Sequence, residues 1–371
     1  MPVIWCGEKQ NSFQSLLFIF IIFLFCKFTF KIIQITKSFK MKNIKTILIA
    51  VFVVATLFAN AQNSKNDFFG MWTIDIDGGS VGWLEVHENE GFLDADLLWR
   101  GGSVVPVAHV YFVDDNNLVV TRTYEMSKSD DRKHLITQTY KFKRKGEKFT
   151  GVLVEPARSG KGVNETKFNG WKLPDVGDAP NLSKVKYGEP IQLFNGNDLA
   201  GWRLINPKQA NGFKVVDGVL VNDPVNKEGK RVNFGNLRTE QEFEDFSIKL
   251  EVNVPVHSNS GVYLRGMYEI QVVDSYGNEL DSHNMGGLYS RVSPTQAAEK
   301  PGGEWQTMDI TLCDRHVTVI LNGKTIIDNQ PAYGPTGGAM SADVFKAGPI
   351  YLQGDHGKVS YRNMVLTPII K

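Results

Sequence analysis

The chain has 371 residues, 42% of them hydrophobic, with 41 basic and 40 acidic side chains and three cysteines. So even a charge balance, without Lys/Arg blocks, argues against a nucleic-acid or anionic-membrane binder held by bulk charge. Three cysteines are too few for a disulfide-stapled scaffold, so stability must come from apolar cores.

Two apolar runs open the chain, Leu16–Cys26 and Ile44–Phe58. Met41-Lys42-Asn43-Ile44-Lys45 is a basic n-region, an apolar h-region follows, and Ala59-Asn60-Ala61 before Gln62 is an A-x-A cleavage site. Together they make a complete secretory signal at 41–61, with cleavage near Ala61/Gln62. Residues 1–40 are then expected to be an over-extended translation start. The competing reading, a membrane anchor at Leu16–Cys26, is too short to span and ends at Lys27. Cys26 follows Phe25 rather than a small residue, which argues against a lipoprotein site. The expected mature protein is periplasmic or secreted, with no stable membrane insertion. Of the charged residues, seven Lys and Glu8 fall in the first 61 positions, which leaves 34 basic against 39 acidic, about −5. Cys313 remains as the single cysteine, and its place in the strand pattern Asp309-Ile310-Thr311-Leu312-Cys313 predicts a buried, inert thiol.

Residues 62–173 read as an N-terminal β domain. Short strands such as Met71–Ile76, Gly82–His87, Asp94–Trp99, Val104–Phe112, Leu118–Tyr124, Leu135–Lys141 and Lys148–Val154 alternate with turn signals. Without helical periodicity, they predict a small antiparallel β-barrel or sandwich. Trp72, Trp83, Trp99 and Trp171 are expected core fillers, with Trp99 beside Arg100-Gly101-Gly102 the alternative sugar platform. His87, His109 and His134 show no ligand spacing, so no metal site is assigned to them. Residues 174–188, rich in Pro, Gly, Asp and Ser, are expected to be a linker. Residues 189–371 again read as strands and point to a two-sheet jelly roll.

Within that second region the densest stretch is GVYLRGMYEIQVVD, Gly261 to Asp274. Val262 and Leu264 alternate with Tyr263 and Arg265, Gly266-Met267 permits a turn, and Ile270 and Val272 alternate with Glu269 and Gln271. Period-2 spacing puts the aliphatic groups on one sheet face and the polar groups on the other. The polar set has the hydrogen-bonding equipment for a sugar, although a solvated strand with an Arg265–Glu269 ion pair would use the same residues. No G-x-S-x-G, P-loop, Rossmann glycine pattern, C-x-x-C or H-E-x-x-H occurs, so carboxylates, His and Arg must carry the chemistry. Glu269-Ile270-Gln271-Val272-Val273-Asp274 resembles the E-x-D-x-x-E strand of concanavalin-like jelly-roll glucanases. Gln271 stands for the middle acid and Asp274, one methylene shorter, for the last. That change weakens the case for double displacement, which needs two carboxylates about 5 Å apart.

Six blocks in order give a closer resemblance. They are Leu193 to Trp202, Asn259 to Asn278, Gly286-Gly287-Leu288-Tyr289, Pro301 to Gln306, Leu321-Asn322-Gly323, and Gly348 to Gly357 with Tyr361-Arg362-Asn363. Across about 180 residues this half resembles the 3-keto-disaccharide hydrolase domain, a concanavalin-like jelly roll. The family commonly has L-Q-x-H-G; here Gly354-Asp355 adds one residue before His356. The resemblance implies action on glycosides whose C3 hydroxyl has become a ketone. A 3-ketone acidifies the C2 proton, so one base, one acid and an enolate donor suffice for β-elimination, and water then adds back. Glu269 and His356 are the base and acid candidates, and Asp274 would orient a partner. Arg265 and Gln271 would hold the 3-oxo oxygen or flanking hydroxyls. Tyr263, His283, Trp305, Gln353 and Arg362 are further substrate-binding candidates, with His283 also a secondary choice for proton transfer or metal work. No ligand pattern decides whether a divalent cation, structural Ca²⁺ or catalytic, takes part. The rival functions are a non-catalytic lectin-like protein and a glucanase on unoxidised glycans.

Overall fold

A computed structural model describes residues 67–370, apart from 130–131, 225–229 and 231. The expected translation start at 1–40 and the signal peptide at 41–61 lie outside the described residues. All regular structure among those described is β-strand, arranged in antiparallel sheets without a helix.

The first region is a nine-stranded up-and-down meander from Gly70–Ile76 to Val163–Trp171, in which these two strands also pair. Its edges, Val105–Pro106 and His109–Asp114, are joined through Val107-Ala108, and Phe92–Trp99 approaches His109–Asp114, so the sheet curls toward a barrel. Trp72, Ile74, Leu84, Tyr140, Phe142, Phe149 and Phe168 fill its interior. Trp99 belongs to that interior, edge-on to Tyr140 at 5.0 Å and to Phe168 at 5.3 Å, so it is not a sugar platform. The expected Val104–Phe112 strand is interrupted, and Val163–Trp171 is an added strand. The latter escapes a pattern reading because only Phe168 and Gly170 are buried within a run of Asn, Glu, Thr and Lys.

The second region is the jelly roll. Its larger sheet runs Phe213–Val216, Val219–Asn222, Val359–Ile370, Phe246–Asn253, Trp305–Cys313, His316–Leu321, Lys324–Pro331, with two short strands flanking Val359–Ile370. The smaller sheet runs Trp202–Leu204, Leu237–Thr239, Tyr351–Leu352, Asn259–Leu264, Tyr268–Val273. Ile248, Leu250, Val252, Ile310 and Val319 of the first face Leu237, Val262, Leu264, Ile270, Val272 and Leu352 of the second in one apolar core. Cys313 is buried.

The two regions share a third cluster in which Met71, Trp83, Leu98 and Leu173 pack on Val344. Trp83 Nε1 donates to the Pro335 carbonyl at 2.8 Å, and the Arg291 guanidinium lies 4.1 Å over the Trp83 ring. The stretch expected as a linker runs along the jelly roll. Asn329 Nδ2 donates to Pro180 O at 2.8 Å, and Lys186–Tyr187 pairs with Ile369 and Ile370.

Candidate active site

The smaller sheet has one face in the core, and its other face carries the polar residues. Arg238, Tyr351, Tyr263 and Glu269 stand directly opposite one another on four successive strands. Opposed residues share a face, so these four form one row across the sheet. Gly261 opposes Gln271 in the next row, and Gln353 N–H donates to the Gly261 carbonyl.

Glu269 is only 4% exposed. Its Oε2 lies 2.7 Å from the Tyr263 hydroxyl, and its Oε1 accepts from Gln353 Nε2 at 2.9 Å. The Tyr263 hydroxyl is also 2.6 Å from the Gly337 carbonyl. One phenol proton cannot serve both acceptors. Ionised Glu269 accepts a hydrogen bond from the phenol, whereas protonated Glu269 donates to the Tyr263 oxygen and Tyr263 donates to Gly337. The Tyr263 ring stacks on Tyr351 at 3.8 Å, and the Tyr351 hydroxyl donates to Gly338 O at 3.1 Å. The Glu269 backbone is fixed from both sides, its N–H donating to Thr336 Oγ1 at 2.9 Å and its carbonyl accepting from Tyr289 N–H at 3.0 Å.

Burial pushes the Glu269 carboxyl up to about 7. The Tyr263 hydrogen bond, His356 and the Gln353 hydrogen bond oppose the rise, and Asp355 adds to it. A carboxyl at that value holds both protonation states near neutrality and can work as base or acid. Space for it comes from Gly261, where a Cβ would stand 2.3 Å from Glu269 Oε1. Gly261→Ala is therefore expected to displace the carboxylate and cut kcat by ~10²-fold. Overpacking should cost only ~1–3 kcal/mol of stability, read by thermal melting beside the kinetics. A variant with wild-type turnover would show that the position of Glu269 is immaterial.

The other candidates divide. His356 Nδ1 lies 2.7 Å from Asp355 Oδ1 in a loop anchored by Asn222 Nδ2 to Gly354 O at 3.0 Å. A Cβ at Gly354 would meet Gly235 O at 2.3 Å, so glycine lets this loop approach. Among the described residues, the buried side-chain oxygens of Gln271 and Gln353 have no hydrogen-bond partner within the protein, which suits a ligand hydroxyl. Tyr263 and Gln353 belong to the Glu269 cluster itself.

Asp274 does not join them, because its carboxylate accepts from His257 N–H at 2.9 Å beyond the strand end. Arg265 leaves the strand pattern at φ 54° and sends its guanidinium to the carbonyls of Val344 and Lys346. Neither side chain is available to a sugar over Glu269 in this arrangement. Trp305 and Arg362 do meet, with the guanidinium 4.0 Å over the ring, but on the larger sheet, where Arg362 also pairs with Glu251. His283 lies beside the strand that carries Glu269, edge-on to Tyr289, whose N–H donates to Glu269 O, and is bonded through Nδ1 to Asp281 and through Nε2 to Ser103 Oγ at 2.8 Å. Period-2 reasoning could have added Tyr351, whose row follows from Tyr263. Ser103 and Gly337 carry no local signal, because their place depends on two distant regions meeting. Among the described residues, one trio of metal-capable groups, Asp245, Cys313 and Asp314, lies within 4.8 Å of one another, buried apart from the exposed Asp314.

Among curated proteins none matches the chain. A candidate glycosyl hydrolase from Parabacteroides distasonis ATCC 8503 is 32% identical over 50% of this chain and 92% of its own, with a TM-score of 0.39. A second from that organism is 26% identical over 48% of this chain and 98% of its own, with a TM-score of 0.37. SCLam, a non-specific endo-beta-1,3(4)-glucanase, is 11% identical over 52% of this chain and 92% of its own, at a TM-score of 0.31. Residues 189–367 match the family described as the 3-keto-alpha-glucoside-1,2-lyase-like domain, and through that half the chain belongs to this family.

Proposed function

We propose that the protein cleaves 3-keto-glycosides, with Glu269 as the base that removes the C2 proton. The observation that carries this reading is one buried carboxyl held at about 7 between a phenol and an amide. The glucanase reading needs Asp274 beside Glu269, and the Asp274 carboxylate is instead engaged with His257 N–H.

The electron pair of the C2–H bond moves toward the C3 oxygen as Glu269 takes the proton, giving an enolate. The enolate then expels the glycosidic oxygen from C1, breaking the C1–O bond, and that oxygen receives a proton from His356. Water added across the resulting C1–C2 double bond, hydroxyl to C1 and proton to C2, completes net hydrolysis. Gln271 would donate its amide N–H to the developing oxyanion.

Turnover in D₂O tests this sequence. Elimination and re-addition leave deuterium at C2 of the sugar product, which NMR reads directly. Cleavage without C2 label, or equal turnover of the unoxidised glycoside, would sink it; binding without any turnover would favour the lectin-like rival.

Export is part of the proposal, supported by the n-region, h-region and A-x-A site that end at Ala61. N-terminal sequencing of protein from the periplasm or medium is expected to begin at or near Gln62. A retained residue 1 would refute it.

A further inference from the structure

The turn Arg100–Ser103 of the first region meets the surroundings of Glu269 from two sides. Its backbone is left-handed at Arg100, φ 70°, and at Gly102, φ 80°. A non-glycine residue such as Arg100 keeps that conformation only where its surroundings enforce it.

On one side the turn presses on the strap 334–338. A Cβ on Gly337 would stand 2.2 Å from the Gly102 carbonyl oxygen, and Gly338 N–H donates to Arg100 O at 3.3 Å. This strap carries the Gly337 and Gly338 carbonyls that face the Tyr263 and Tyr351 hydroxyls, and Thr336, which accepts from Glu269 N–H. Trp83 of the same first region holds Pro335. On the other side, Ser103 Oγ lies 2.8 Å from His283 Nε2 and 3.3 Å from the Tyr289 hydroxyl. Tyr289 links the two sides, because its N–H donates to Glu269 O and its ring meets His283 edge-on at 4.9 Å.

The tautomer of His283 follows from its hydrogen-bond partners. The hydrogen bond from His283 holds the Asp281 carboxyl below its usual range, so it is ionised and can only accept. His283 Nδ1 therefore carries a proton, and in that tautomer Nε2 offers its lone pair to the Ser103 hydroxyl. Side-chain exposure of 41% leaves that imidazole within reach of a ligand.

We propose that the first β region completes the candidate active site, with Ser103 as the positioning residue that fixes the His283 imidazole for proton exchange with a hydroxyl of a glycoside bound over Glu269. The choice of substrate rests on the function proposed above, whereas the Ser103–His283 contact does not.

The test uses the whole chain with ¹⁵N-labelled histidine and compares wild type with Ser103→Ala and Ser103→Thr. Long-range ¹H–¹⁵N spectra, assigned with His283→Gln, read the two ring nitrogens of His283. Loss of the hydroxyl is expected to move the Nε2 signal, and the threonine hydroxyl to bring it back. On a 3-keto-glucoside, kcat of Ser103→Ala should fall roughly 10-fold with KM within about 2-fold, and Ser103→Thr should recover it. An unmoved Nε2 signal overturns the proposal, and so does a moved signal with unchanged kcat. If wild type turns over no 3-keto-glucoside, the proposed function fails by itself. The nitrogen spectra then still decide whether Ser103 positions His283.

Discussion

Glu269→Gln is expected to lower kcat on a 3-keto-glucoside by ~10²-fold or more while substrate binding survives. The amide fits the site as the protonated acid does. Its oxygen accepts from Gln353 Nε2, its Nε2 donates to the Tyr263 oxygen, and Tyr263 turns its proton to Gly337, whose carbonyl is already 2.6 Å away. Every hydrogen bond is kept and only the basic lone pair is lost, so a fall in rate reports base catalysis rather than disorder. Calorimetric titration with the substrate and single-turnover kinetics separate the two effects. A variant within ~3-fold of wild type, melting normally, would make the carboxylate structural and move the search for the base to His356.

Much of this arrangement was legible in the sequence because a strand has one simple rule. Tyr263, Glu269 and Gln271 alternate with Val262, Ile270 and Val272, and the rule that places the latter in the core puts the former together on the opposite face. The rule fails where the strand ends. Arg265 continues the alternation in sequence, but the chain has turned by then, with φ positive at both Arg265 and Gly266. Asp274 likewise lies past Val273, the last strand residue, where a carboxylate more readily caps a loop N–H. Trp305 and Arg362 have residue types that suit a sugar and lie in blocks that carry the resemblance, but neither says which of two sheets a side chain decorates. Residues 174–188 have a linker's composition, but the contacts tying them down use carbonyls such as that of Pro180, which every residue offers. For the same reason nothing local marked the approach of Gly102 to Gly337. It arises only when two regions distant in sequence meet.

The same Glu269→Gln substitution is expected to stabilise the protein above neutral pH. In the unfolded chain the carboxyl titrates near its ordinary 4.5, and in the folded protein near 7. Between these values the folded state holds a proton that the unfolded state has released, so stability falls as pH rises through this window. Below 4.5 both states are protonated and the contribution is fully present; above 7 it is gone. At about 1.4 kcal/mol for each pH unit of the window, keeping an ionised carboxylate in this buried place costs ~3 kcal/mol at pH 8. Glutamine keeps the hydrogen bonds of the neutral acid at every pH and avoids that cost. The variant should therefore melt at nearly the wild-type temperature at pH 4.5 and roughly 5 °C higher at pH 8. Differential scanning calorimetry at the two pH values measures it. An equal difference at both would mean that the carboxyl titrates normally, and with that the poised base would lose its physical ground. A gain confined to high pH, together with lost turnover, would show that the site keeps a destabilising charge because the proton transfer requires it.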